Sequence, residues 1–282
     1  MRRREFLILA GASALAQTPS ADSKLARIGV STWSFHTLFP NDAAKPAKPL
    51  DLLEFPEMIA DRYRIHNLEV IAPHFASTES SYFREFQARL KRAHSRLVNI
   101  PIDIAELWEK PALSSPDTKV REHAISLYSK WIDRAGELGS PTVRCDPGTI
   151  NLADLSPTIA SYKTLVGLAR ARNIDLIVEN HGTASAHPEE LAAILKASGA
   201  GALPDFGNFP DADTRERGLK LMFPLAKGVC HAKLNPARFD IARCVEIAKQ
   251  AKFAGVYSIE AGGRGDPYES VQQVVDALLG CL

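Results

Sequence analysis

Eight short β-rich runs alternate with stretches of helical period along almost the whole chain, and this alternation constrains the fold more than any other feature. The β-rich runs are the predicted strands, at 26–31, 67–71, 96–102, 141–145, 175–179, 202–205, 228–234 and 255–260. The predicted helices follow them at 50–63, 80–94, 119–138, 158–172, 188–196, 214–225, 238–251 and 267–279. Strands that alternate with helices of this length are typical of parallel βα units.

Eight such units in about 265 residues match the size of a (β/α)₈ barrel, whose usual length is about 250 residues. The sequence therefore predicts an α/β fold, a (β/α)₈ TIM barrel over residues 27–282, with a linker over 17–26. An open, doubly wound sheet is the alternative, but no Gly-x-Gly-x-x-Gly turn follows the first predicted strand. Pro101 and Pro204 fall within predicted inner strands, so we expect them to mark strand ends or bulges.

The charge balance of the chain excludes two classes of partner. There are 34 Lys and Arg against 33 Asp and Glu, a formal net charge of +1 over 282 residues. Such a balance provides no field to hold a nucleic acid or an anionic membrane surface.

The four cysteines are scattered and form no Cys-x-x-Cys pair, so neither a disulfide framework nor a zinc knuckle is predicted. We expect a small-molecule partner, and the sequence leaves open whether the chain forms a homo-oligomer.

The N-terminus has the layout of an export signal. Three arginines at 2–4 precede a short apolar run, and a small-x-small triplet at 14–16 supplies a cleavage site. The order Arg3-Arg4-x-Phe6-Leu7 resembles the twin-arginine signal. The apolar run is shorter than the ~20 residues that a bilayer span needs. We predict a Tat-type signal peptide over 1–16 and a periplasmic or secreted protein, with a basic tail on a cytosolic protein as the alternative.

Polar residues lie at the ends of the last four predicted strands. Glu179 ends the fifth strand and Asp205 ends the sixth. His231 lies within the seventh, and Glu260 ends the eighth. In a (β/α)₈ barrel the carboxyl ends of the strands converge on one face, where active sites lie. Three carboxylates and an imidazole in one pocket would repel unless a cation lay between them, so the sequence predicts a site for a hard divalent ion.

Four short motifs carry a resemblance to a known family: Glu179-Asn-His-Gly, Asp205-Phe-Gly-Asn, His231-Ala-Lys and Ile259-Glu260. From about residue 27 to the C-terminus, the chain resembles the sugar phosphate isomerase/epimerase family of xylose isomerase-like TIM barrels. The resemblance implies that Glu179, Asp205, His231 and Glu260 bind one divalent metal ion, commonly Mn²⁺, with Zn²⁺, Co²⁺ or Mg²⁺ as alternatives. Asn208 departs from the family pattern, because many of its epimerases have a second histidine there. We therefore expect different substrate contacts at this position.

Several side chains near these strand ends are candidates for substrate binding. Lys233 shares the inward face of His231, and we expect its ammonium to be unpaired and available to substrate. The alternative for Lys233 is an ion pair with Glu179 or Glu260. His181, two residues after Glu179, is either a structural hydrogen-bonding residue or a substrate contact. The weaker candidates are Asn208, Arg264, Trp33 and His74.

Two charged residues within predicted strands have more than one interpretation. Glu69 faces either the barrel interior or the helices, and a structural carboxylate paired with an arginine is the alternative to a site residue. Arg144 is either a clamp for an anion or hydroxyl, or a partner in a surface ion pair. Neither is included in the predicted site.

The expected chemistry is proton transfer at a carbon next to a carbonyl. A divalent ion can chelate a carbonyl and a neighbouring hydroxyl and stabilise an enediolate as the α-proton leaves. By family resemblance, one of Glu179 and Glu260 removes the proton and the other returns one, so both are predicted catalytic residues. The sequence favours neither epimerisation nor isomerisation. The alternatives are a lyase, dehydratase or keto-glycoside-cleaving enzyme on the same scaffold, and a non-catalytic sugar-binding barrel.

Export should depend on Arg3 and Arg4. Replacing both with lysine should retain the precursor in the cytoplasm, because this pair is the address that the twin-arginine route reads. Cell fractionation and N-terminal sequencing measure this, with a mature chain beginning near Gln17 expected for the unaltered protein. Arg2→Lys is the matched control and should not change export. An unchanged periplasmic yield of the double variant, or an exported chain that retains Met1, would contradict the signal.

Overall fold

Eight parallel strands form one curved sheet in the computed structural model, which describes residues 20–40, 46–108, 110–262 and 265–282. The strands are β1 Ile28–Ser31, β2 Asn67–Glu69, β3 Arg96–Ile102, β4 Thr142–Cys145, β5 Asp175–Glu179, β6 Gly201–Leu203, β7 Val229–Ala232 and β8 Val256–Ile259. Their order in the sheet is β6-β5-β4-β3-β2-β1-β8-β7. The predicted barrel is confirmed, whereas the predicted signal peptide over 1–16 lies outside the described residues.

The contact between β6 and β7 brings the two ends of the sheet together. Two isolated parallel bridges join them, Ala202 with Ala226 and Asp205 with His231. Pro204 explains why β6 is short, because it has no N–H to donate to a sheet. Its carbonyl still accepts a hydrogen bond of 2.9 Å from the His231 N–H. Pro204 thus marks a strand end as expected, and Pro101 lies one residue before the end of β3.

Helices follow the strands and cover the outside of the sheet. The α-helices of the described residues are α1 Ala21–Leu25, α2 Phe55–Tyr63, α3 Ser80–Arg92, α4 Thr118–Leu138, α5 Ser156–Arg170, α6 Thr183–Ala186, α7 Pro188–Ser198, α8 Ala212–Met222, α9 Ile241–Gln250 and α10 Pro267–Cys281. Short 3₁₀ helices lie at Thr32–Phe35, Ala72–His74, Ala105–Leu107, Ala112–Ser114 and Phe223–Leu225. The eight predicted helices are present, with bounds shifted by a few residues. None of the described helices is both long enough and apolar enough to cross a membrane.

The segment predicted as a linker over 17–26 contains structure. Ser20 caps α1 by accepting a hydrogen bond from the Ser23 N–H, and Leu25 is buried. The ammonium of Lys24 donates to the carbonyl of Leu279 in α10 at 2.7 Å. This short helix therefore packs on the last helix of the barrel instead of lying apart from it.

The barrel interior has an apolar lower layer and a charged upper layer. Side chains two residues apart along a strand share a face, so the residues two positions before the ligand candidates lie below them. Ile177, Leu203 and Val229 occupy such positions and form a buried cluster with Val98 and Val256. This cluster fills the lower interior, and the polar side chains are left at the carboxyl ends of the strands.

Gly218 in α8 allows Phe209, in the loop between β6 and α8, to pack closely against the helix. A Cβ atom at Gly218 would lie 2.3 Å from Cε1 of Phe209, which is fully buried. We expect Gly218→Ala to lower the free energy of unfolding by about 1–3 kcal/mol, because the ring must move. Gly167→Ala in α5 is the matched control, since a Cβ there meets nothing within 4 Å. It should raise the free energy of unfolding by about 0.5–1 kcal/mol through helix propensity.

Denaturant unfolding followed by circular dichroism measures both glycine variants. Opposite signs of the two changes are expected. A Gly218→Ala protein as stable as the parent would contradict the packing of Phe209 against α8.

Candidate metal centre

Four buried side chains converge in the upper layer of the barrel. Glu179 ends β5, and Asp205 lies two residues after β6. His231 is in β7, and Glu260 follows β8 directly. One potential ligand atom from each lies within 4.8 Å of the others. The structure therefore brings together the four residues that the sequence singled out.

Nδ1 of His231 is the central atom of this group. It lies 3.1 Å from Oε1 of Glu179, 3.5 Å from Oδ2 of Asp205 and 3.4 Å from Oε1 of Glu260. One imidazole nitrogen and three carboxylate oxygens form a donor set that suits Mn²⁺, Mg²⁺ or Zn²⁺. Buried carboxylates this close repel one another, and a divalent cation would offset the repulsion. The residues present thus fit a divalent metal ion.

Glu69 orients the imidazole of His231. Its carboxylate oxygens lie 3.0 and 3.2 Å from Nε2 of His231, and it also accepts a hydrogen bond of 2.9 Å from Asn99 Nδ2. A carboxylate on one ring nitrogen directs the other nitrogen toward a metal and strengthens it as a ligand. Glu69 faces the barrel interior, so its alternative pairing with an arginine was wrong. The sequence contained one signal for a site role of Glu69, because it is an acidic residue within the otherwise apolar run at 68–71.

Arg144 is buried at the site and contacts three carboxylates. Its Nη1 lies 3.1 Å from Oε2 of Glu179 and 3.6 Å from Oδ2 of Asp146, and its Nη2 contacts Asp103. Only 5% of its side chain is exposed, so it is not the surface ion-pair residue that the sequence allowed. Asp103 and Asp146 lie in loops after β3 and β4 and were not predicted from the sequence.

The two glutamates differ in proton affinity. Burial raises the pKa of Glu179, but the positive charges of His231 and Arg144 outweigh burial and hold this pKa well below its ordinary value. For Glu260, burial outweighs the opposing effect of His231 and Lys233, so its pKa is raised. The two residues differ because Arg144 contacts Glu179, with its Nη1 3.1 Å from Oε2.

Lys233 is paired with the carboxylates of the site. Its Nζ lies 2.8 Å from Oδ2 of Asp205 and 3.1 Å from Oε2 of Glu260, and it donates to Oδ1 of Asn208 at 2.9 Å. The sequence-based expectation of an unpaired ammonium was therefore wrong. Asn208 in turn donates from Nδ2 to Oε1 of Glu179 at 2.9 Å. The position that departs from the family pattern thus links the lysine to a ligand candidate.

A cavity of about 180 Å³ opens above these residues, and four of the predicted substrate-binding residues line it. They are Trp33, His181, Asn208 and Lys233. The indole of Trp33 is 40% exposed and stacks on His36 with ring centroids 4.5 Å apart. Nδ1 of His181 lies 3.2 Å from Oδ2 of Asp146, and this contact raises the pKa of His181. Trp108, which was not predicted from the sequence, also lines the cavity.

Two predicted substrate-binding residues are not placed at this cavity. His74 is buried and stacks on Phe39, with ring centroids 4.1 Å apart. Burial lowers the pKa of His74 to about 3, as for a neutral core imidazole. His74 is not among the described residues that line the cavity. Arg264 lies outside the described residues.

The fold and the site together define a class of proteins, the (β/α)₈ barrels with four buried metal-ligand candidates at consecutive strand ends. Comparison with known proteins identifies the same class. The family model for the xylose isomerase-like TIM barrel matches residues 57–280. The chain therefore belongs to the xylose isomerase-like TIM-barrel family, which confirms the resemblance seen in the sequence motifs. No protein in the curated set matches the chain significantly.

Solved structures share the fold at low sequence identity. D-psicose 3-epimerase from Clostridium cellulolyticum H10, solved with D-tagatose, has a TM-score of 0.65 and 14% identity, over 90% of this chain and 96% of that one. A xylose isomerase-like TIM-barrel protein from Mycobacterium smegmatis, in complex with magnesium, has a TM-score of 0.65 and 15% identity, over 94% of this chain and 100% of that one. A sugar phosphate isomerase/epimerase from Parabacteroides distasonis has a TM-score of 0.64 and 13% identity, over 96% of this chain and 98% of that one.

Metal binding should depend on Glu69 although it is not a ligand candidate. The parent protein should hold about one divalent ion per chain, as expected for a single four-residue site, and an Asp205→Ala, His231→Ala double variant should hold none. Glu69→Gln should bind Mn²⁺ about 10–100-fold more weakly, because the hydrogen-bonded partner of a ligand histidine tunes its affinity. Elemental analysis and Mn²⁺ titration calorimetry measure these quantities.

Glu106→Gln is the matched control for Glu69→Gln. Glu106 pairs with His123 at 2.6 Å on the surface, with side chains that are 56% and 55% exposed. Its replacement should leave Mn²⁺ affinity unchanged. Equal affinities of the Glu69→Gln and parent proteins would refute the orienting role, and a parent that takes up no divalent ion would refute the site.

Proposed function

We propose that the protein is a divalent-metal-dependent isomerase or epimerase that acts on a keto-sugar or a related carbohydrate. The observation that carries the proposal is that Glu179 and Glu260 belong to one buried ligand set and also line the cavity above it. They come from β5 and β8, and each has an oxygen within 3.4 Å of His231 Nδ1. A substrate in this cavity would meet carboxylates from two different strands.

The family and its solved members support a carbohydrate reaction. The Clostridium cellulolyticum neighbour is a D-psicose 3-epimerase solved with D-tagatose, and the Mycobacterium smegmatis neighbour was solved with magnesium. We propose Mn²⁺ as the resident ion of this chain, with Mg²⁺, Zn²⁺ or Co²⁺ as substitutes. When bound, the ion would polarise a substrate carbonyl and stabilise the negative charge that develops as the α-proton leaves.

The side chains of the protein would position and transfer the proton. Arg144 and Asn208 contact opposite oxygens of Glu179, at 3.1 and 2.9 Å, and so fix the plane of its carboxylate. Lys233 holds Oε2 of Glu260 at 3.1 Å. Carboxylates fixed in this way can act as general base and general acid without reorganising. Return of a proton to the opposite face of the same carbon gives an epimer, and return to the neighbouring carbon gives an isomer.

The remaining assignments follow from the lining of the cavity. We assign substrate contacts to Trp33, His181, Asn208 and Lys233. An exposed indole suits the apolar face of a sugar ring, and the polar groups suit its hydroxyls.

The Arg3-Arg4-x-Phe6-Leu7 pattern supports a place of action outside the cytoplasm.

Both glutamates should be required for exchange of a carbon-bound proton. The Mn²⁺-loaded protein, incubated in D₂O with a panel of keto-sugars, should incorporate deuterium next to the carbonyl, because the reaction breaks that C–H bond. Glu179→Gln or Glu260→Gln should lower the exchange rate by at least about 10²-fold, the usual contribution of a general acid or base. Nuclear magnetic resonance of the recovered sugar measures both the rate and the position.

The same experiment separates the reaction types. Deuterium with inverted configuration indicates an epimerase, deuterium on the neighbouring carbon an isomerase, and a lost substituent a lyase. Glu106→Gln is again the control and should exchange at the parental rate. Tight binding of a keto-sugar without any exchange would replace the proposal with a non-catalytic sugar-binding barrel.

A further inference from the structure

The cavity above the metal centre is the middle compartment of a longer groove. A cavity of about 310 Å³ shares Asn208, Lys233 and Glu260 with it on one side. A cavity of about 300 Å³ shares Trp108 and His181 with it on the other side. The middle compartment, at about 180 Å³, is smaller than the roughly 300–1,000 Å³ typical of sites that enclose a small ligand. A ligand larger than one sugar ring would therefore extend into a neighbouring compartment.

The compartment beyond Trp108, here called the Trp108 compartment, is lined by aromatic and hydroxyl-binding groups. Its described lining residues are Trp108, Asp146, Gly148, Thr149, His181, Gly182 and Thr183. The Trp108 indole is 44% exposed, although its ring centroid lies 5.0 Å from that of His181. An exposed aromatic face beside carboxylate and hydroxyl groups suits a sugar ring, which has an apolar C–H face and a polar edge.

The charge of the Trp108 compartment argues against an anionic substituent. Its described lining residues include the carboxylate of Asp146 and no lysine or arginine. Arg144, which lines the middle compartment, already contacts Glu179, Asp146 and Asp103. A phosphate there would approach the Asp146 carboxylate, and His181, the one described lining residue that can become a cation, already contacts that carboxylate at 3.2 Å. An uncharged sugar would incur no such repulsion.

We infer that the substrate is a keto-sugar with an uncharged glycosyl substituent, whose reacting ring lies in the middle compartment and whose second ring stacks on Trp108. The inference rests on the proposed function for the nature of the reacting ring. The second-ring subsite rests on the groove itself. The compartment on the other side, which contains Arg238 and Gln273, is outside this assignment.

Titration calorimetry with the Mn²⁺-loaded full chain tests the subsite without any need for turnover. The probes are D-fructose and three glycosylated ketoses, turanose, lactulose and isomaltulose. At least one glycosylated ketose should bind about tenfold or more tightly than D-fructose, a difference of about 1.4 kcal/mol. Trp108 lines both compartments. Trp108→Ala should therefore weaken that glycosylated ketose about tenfold more than it weakens D-fructose and so remove the preference, because only the second ring stacks on the indole.

Leu168→Ala is the surface control, since Leu168 is an exposed apolar residue on α5. It should keep the parental preference. D-fructose 6-phosphate is the anionic probe, and Trp108→Ala should not weaken its binding relative to D-fructose. The subsite is overturned if no glycosylated ketose binds more tightly than D-fructose. It is also overturned if Trp108→Ala weakens all four uncharged sugars alike, or if the variant selectively weakens the phosphate.

Proton exchange in D₂O separates failure of the subsite from failure of the proposed function. A Trp108-dependent preference without exchange on any probe would support the subsite and reject the isomerase or epimerase. Exchange on free D-fructose at least as fast as on every glycosylated ketose would support the enzyme and overturn the subsite.

Discussion

The polar layer of the barrel depends on the imidazole of His231. Its Nε2 faces Glu69 on β2, while its Nδ1 faces three carboxylates at the ends of β5, β6 and β8. Glu69 is fully buried, so loss of the ring would leave its carboxylate without a charged partner. The backbone N–H of His231 also bonds to Pro204 where β6 meets β7. Closure of the barrel and assembly of the ligand set therefore involve the same residue.

Two cations balance the carboxylates and hold them in place. Arg144 on β4 contacts Glu179, and Lys233, just after β7, bridges Asp205 and Glu260. Buried ion pairs add little net stability, but they fix the geometry of the groups that they join. Here they restrict the two carboxylates to which we assign proton transfer. The Trp108 compartment begins beyond this layer, where the indole lies beside the His181–Asp146 pair.

The fold and the convergence of the four ligand candidates could be predicted because both follow from local patterns. Eight alternations of strand and helix specify the barrel, since parallel strands need a helical connection between them. The two-residue period of a strand places Glu179 above Ile177 and His231 above Val229. Convergence of strand ends then brings the four ligand candidates together without knowledge of any single contact. Strand limits were less certain, because they depend on details such as the missing N–H of Pro204.

The partners of the buried charges were decided only by the tertiary structure. Glu69 and His231 are 162 residues apart in the sequence, and nothing near either residue indicates that they meet across the barrel. Lys233 lies on the inner face as expected, yet only the spacing between neighbouring strands shows that its ammonium reaches Asp205 and Glu260. The positions of His74 and Trp108 could not be predicted either, for the same reason. One packs on Phe39 and the other borders the groove because of where their loops fold, and a loop's position depends on contacts far away in the chain.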